Sequence, residues 1–69
     1  MSVYKIEINT RDRLFLAWQH TMELVRDFGA YAEEEGAKSE VGRLYLSFAE
    51  EQGKEAARFL EELRRIDGV

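Results

Sequence analysis

Two polar side chains sit where a helix would carry them inward. Gln52 and Glu55 are three residues apart, so on a helix they share one face. A carboxylate and an amide at that spacing can form a polar layer that fixes register in a bundle. They can also offer oxygen ligands to a cation. His20 is the sole histidine. With Glu23 it forms an i, i+3 pair that could hold a metal at a surface, although Glu23 lies outside the apolar stripe of its helix. Glu33-Glu34-Glu35 is an acidic run without the spacing of a calcium loop, and reads as a solvated face. No glycine-rich phosphate loop is present. A Ser/His/Asp set cannot be assembled from one histidine at a helix border.

The elements that must position these residues are helices. The chain has 69 residues, one domain at most. It has no proline to force a break and no cysteine for disulfides or thiolate metal sites. Leu14, Ala17, Trp18, Thr21, Leu24, Val25, Phe28, Tyr31 and Ala32 recur at spacings of three and four, the period of a helix. Asn9-Thr10 offers an N-cap and Gly36 a C-cap, which predicts a first helix over 11–35. Ala37-Lys38 makes a short turn and Ser39 caps a second helix, predicted over 39–67. A loop this short makes the helices antiparallel neighbours. The second helix carries the stripe Val41, Leu44, Tyr45, Phe48, Gln52, Glu55, Phe59, Leu63 and Ile66. Beside it runs a row of mostly small residues: Gly42, Ala49, Gly53, Ala56 and Leu60. Two interior glycines, each costing about 1 kcal/mol against alanine, point to close backbone approach by another helix. Residues 1–9 alternate from Val3 to Ile8 and predict a short extended arm.

Helices of about 25 to 28 residues are about 40 Å long and touch along one line. Such a seam leaves Trp18, Phe28, Phe48 and Phe59 incompletely covered, and a chain this short has a marginal core. The expected architecture is therefore all-α: an antiparallel two-helix hairpin assembling as a homodimeric four-helix bundle, or a higher homo-oligomer. A different protein partner is the alternative.

Composition bounds the function classes. Hydrophobic residues make up 45% and charged residues 35%, a globular balance. Net charge is −4 and the basic residues are interleaved with acids, which argues against nucleic acid. No apolar run approaches a membrane span, and the N-terminus lacks a signal-peptide pattern. The expectation is a cytoplasmic protein with no membrane partner.

The run Phe48-Ala49-Glu50-Glu51-Gln52-Gly53-Lys54-Glu55-Ala56-Ala57-Arg58-Phe59-Leu60 resembles a segment of the ferritin-like superfamily. In rubrerythrins that segment typically reads Ala-Glu-Glu-Glu-x-x-His-Ala-x-x-Phe-Leu. The likeness spans roughly Thr21 to Leu63. Glu40-Val41 and Leu44-Tyr45 fall where the family begins its second helix, and Phe28 on the aromatic of its first. The resemblance implies a four-helix bundle with a non-haem di-iron centre. Encapsulated ferritins are hairpins of similar size that build such a centre across a dimer interface. At the ligand positions this chain departs. Gln52 replaces the bridging glutamate, Glu55 replaces the histidine, and Met22 stands at the glutamate position of the first helix. Glutamine brings no charge, so the set is poor for iron.

The leading expectation is a structural or interaction protein without cofactor or catalysis. One alternative is a divergent di-metal oxidase or ferroxidase holding iron or manganese with Glu55, Gln52, Glu51, Glu23 and His20 at a dimer interface. Another is a binding module whose groove, lined by Phe48, Trp18 and Phe59, takes an apolar ligand or a partner helix.

Overall fold

Helical residues run almost from end to end. The computed structural model describes the backbone of residues 3–68 and the side chains of residues 10–68. Helix α1 spans Val3–Glu35 and helix α2 spans Glu40–Asp67. The two pack against each other as an antiparallel hairpin, as the all-α expectation required.

The start of α1 corrects the sequence reading. Residues 3–9 are not an extended arm. They are the first turns of α1, and Asn9-Thr10 lies inside the helix rather than capping it. The physical reason is partner supply. A lone strand in one hairpin has no edge to bond, whereas a helix satisfies each backbone group within its own segment. β-propensity depends on a half-buried sheet surface that one hairpin does not offer.

Local chemistry sets the turn. Gly36 ends α1 with φ of +93°, a left-handed conformation that glycine adopts without a Cβ penalty. Ser39 is extended, at φ −74° and ψ 161°, and its Oγ accepts the Gly42 N–H at 2.9 Å. The Gly36 carbonyl accepts both the Ser39 N–H at 3.0 Å and the Ser39 hydroxyl at 2.8 Å. Gly42 lies directly against this carbonyl, where a Cβ would overlap the Gly36 backbone. Here the close backbone approach is real, but it comes from the turn and not, as expected, from another helix. At Gly53 there is none: a Cβ there would meet nothing within 4 Å.

The seam between the helices is narrow and built from small groups. Thr21 and Ala32 of α1 and Gly42, Ala56 and Leu63 of α2 are buried. Thr21 satisfies its hydroxyl by donating to the Ala17 carbonyl at 2.7 Å. Gly42 and Ala56 of the small row face α1 together with Leu63 of the stripe, while Val41, Leu44, Phe48 and Ile66 stay exposed. No large side chain is fully buried among the described residues. At the open end Arg11 clamps Asp67 through two bonds, Nε to Oδ1 at 2.6 Å and Nη2 to Oδ2 at 3.0 Å. Gly68, at φ +75°, closes α2 with its N–H on the Arg64 and Arg65 carbonyls.

Shape follows from this seam. The Cα extents are 52 × 21 × 12 Å, a slab one helix thick. The radius of gyration is 15.8 Å, where a compact chain of this length gives about 11 Å.

Candidate functional site: the apolar flank beside the seam

Helix periodicity divides the exposed apolar groups between two flanks of the slab. On one flank, Phe28 of α1 packs against Tyr45 and Phe48 of α2, with ring centroids 5.9 and 6.0 Å apart. Tyr31 meets Tyr45 edge-on at 5.4 Å. These contacts span the two helices along the flank near the turn. They do not cover it. Val41, Leu44 and Phe48 keep 46, 52 and 42% of their surface exposed, and Ile66 keeps 44% at the far end. On the other flank Phe15 stacks on Trp18 at 5.9 Å, beside the exposed Met22.

The first flank continues toward the open end as a shallow groove of about 290 Å³. Leu14, Glu55, Arg58, Phe59 and Glu62 line it. The α2 residues of that lining are spaced i, i+3, i+4 and i+7. Four residues at that spacing are what one helix offers as a socket for a side chain of another. Sequence reasoning passes over Arg58. Its position three residues after Glu55 and four before Glu62 is the signal that could have found it.

The structure disperses the candidate metal ligands. Gln52 is half-buried beside the seam, and Glu55 is exposed on the rim of the groove. Glu51 is exposed. His20 is exposed on α1. Glu23 lines a different depression, of about 240 Å³, with Trp18, Gln19, Met22 and Arg26. No three His, Asp or Glu side chains gather where they could hold an ion, among the described residues. Within one hairpin, an amide, one rim carboxylate and scattered surface groups do not make a di-iron centre, which needs several charged ligands converging from facing helices. The expected groove of Phe48, Trp18 and Phe59 is also divided. Phe48 packs on Phe28 and Phe59 lines the first groove, whereas Trp18 lines the other depression.

Two ion pairs are formed among the described residues: Arg65–Glu62 within α2 at 3.6 Å, and Arg11–Asp67 between the helices. The second of these pairs ties the ends of α1 and α2 together. Hydrogen bonding from Arg11 holds the Asp67 carboxyl below its usual 3.8, and the same bond raises Arg11. Both groups lie at the surface, so the clamp fixes the ends of the helices without a large energetic role.

Chemically, this arrangement offers exposed surface for contact. The flank presents apolar area, a socket with charged rims and a half-buried amide, and no assembled catalytic set among the described residues. No described helix is long and apolar enough to cross a membrane. Comparison with protein-family models, with curated proteins and with solved structures gives no match.

Proposed function

We propose that this chain is a self-association module. Two hairpins pair through the flank of Val41, Leu44, Phe48 and Phe59 to complete a ferritin-like four-helix bundle that works as a scaffold and holds no metal. The observation that carries the reading is exposed apolar surface. Among the described residues ten large apolar side chains are exposed, and none is fully enclosed. The accessible surface is 5583 Å², against about 4,500 Å² for a compact monomer of this mass. Two copies that each hid this excess would bury about 2,200 Å², the size class of obligate homodimers. The resemblance over Thr21 to Leu63 supports the bundle, and the amide at Gln52 supports the lack of iron.

Sedimentation equilibrium with metal analysis on the same sample tests this. The expected mass is twice the 8.1 kDa of one chain, with no stoichiometric iron or manganese. Phe48→Glu is expected to yield monomers. A folded wild-type monomer at micromolar concentration, or tightly held metal in the dimer, would sink the proposal.

A further inference from the structure

The residue pattern of α2 specifies how two copies would pair, given the homodimer reading on which this inference rests. Along the exposed stripe, residue types mirror one another about the Gly53–Lys54 peptide bond. Gln52 and Glu55 are equidistant from it, and so are Phe48 and Phe59, and Val41 and Ile66. That bond is also close to the middle of α2. A two-fold axis through this point runs two copies of α2 antiparallel over their whole length. Phe48 then meets Phe59, Val41 meets Ile66, and each central polar residue meets a polar one.

We infer that the dimer forms by antiparallel packing of α2 on α2 of a second copy, with the two-fold axis at Gly53–Lys54. In this register Phe48 enters the socket of Glu55, Arg58, Phe59 and Glu62 on the second copy, the groove that one hairpin leaves open. By symmetry the second copy's Phe48 fills the socket of the first. Gln52 of each copy donates its amide N–H to the Glu55 carboxylate of the other, making a central polar layer. Tyr45 lies level with Glu62 of the second copy, phenol against carboxylate.

Charge supports the same alignment. Glu51 and Arg58 border the stripe on one side, and both are exposed. At this register Glu51 of one copy stands about 3 Å along the axis from Arg58 of the other, and the pair occurs twice. Sliding by one heptad removes these gains. In one direction Phe48 lands on Gln52 of the second copy, and in the other Phe59 lands on Glu55. A parallel pair sets Gln52 against Gln52 and Glu55 against Glu55, which stacks like charges.

The chain lacks cysteine, so a single introduced thiol is unique. Spin labels on Ser47→Cys and Arg64→Cys, both exposed and off the stripe, read the register in the full-length dimer. Antiparallel packing about Gly53–Lys54 separates the Ser47 labels by about 20 Å along the axis and the Arg64 labels by about 30 Å. A parallel dimer gives the same axial level at both sites, and a one-heptad slip moves both separations by about 10 Å. Either result overturns the register while leaving the homodimer reading intact. A monomer at labelling concentration overturns both. Charge exchange gives a second readout. Glu51→Arg and Arg58→Glu are each expected to weaken dimerisation roughly tenfold, and the double variant to recover to within roughly threefold of wild type. Loss without recovery counts against the register.

Discussion

Placing a methyl group at Gly42 tests the geometry of the turn. In Gly42→Ala the new Cβ would need an ordinary separation of 3.4–4 Å from the Gly36 carbonyl, and it starts in hard overlap. The obstacle is backbone, not the end of a flexible side chain. Relief therefore means moving the turn by an ångström or more. That carbonyl holds the Ser39 N–H and hydroxyl, so movement strains the cap that starts α2. Overpacking of this kind costs about 1–3 kcal/mol. A weakened hydrogen bond adds about 1 kcal/mol, and the better helix propensity of alanine returns about 1 kcal/mol. The net is about 2 kcal/mol of destabilisation, a fall in melting temperature of about 10 °C for a domain this small. Gly53→Ala on the same helix is the control with the opposite sign. It meets nothing within 4 Å and should gain up to about 1 kcal/mol. Thermal unfolding followed by circular dichroism, with both variants at equal chain concentration, decides. Equal stability of the two variants would refute the claim that the turn carbonyl seats on Gly42.

Two further outcomes are expected. Ser39→Ala removes the oxygen that accepts the Gly42 N–H and should cost about 1 kcal/mol, measured by urea unfolding, with the loss of helix signal beginning near the turn in hydrogen exchange. Asp67 should titrate below 3.8 when its carboxyl is followed by NMR. Its folded value is depressed, so the clamp contributes fully above the unfolded carboxyl range and fades as pH falls through the folded value. Asp67→Asn should abolish that acid-side dependence. An unshifted carboxyl would show that Arg11 does not hold it in solution.

The turn was readable because its determinants are local. Gly36, Ser39 and the ends at Glu35, Glu40 and Asp67 follow from capping chemistry within a few residues. The start of α1 was not. Tyr4, Ile6 and Ile8 alternate like a strand, and only the absence of a sheet in the hairpin tells against that reading. The face of α2 that meets α1 was also hidden. Apolarity marks what becomes buried, but not by which neighbour. Within the hairpin, close contact selects the small groups at Gly42 and Ala56 and leaves Val41, Leu44 and Phe48 outside. The shared face of Gln52 and Glu55 was visible from spacing alone. The Arg11–Asp67 clamp joins opposite ends of the sequence, and no local pattern announces it.

The lack of any fully enclosed large side chain among the described residues of one hairpin has a consequence in the cell. If the chain pairs as proposed, a copy that has just left the ribosome owns only part of its core, and finding its counterpart is the last step of folding. Survival then becomes a matter of dosage: each tenfold drop in chain concentration removes about 1.4 kcal/mol from the assembled state. In that case chains made too sparsely would stay solitary, greasy and open to proteolysis, and expression level itself would act as the quality check.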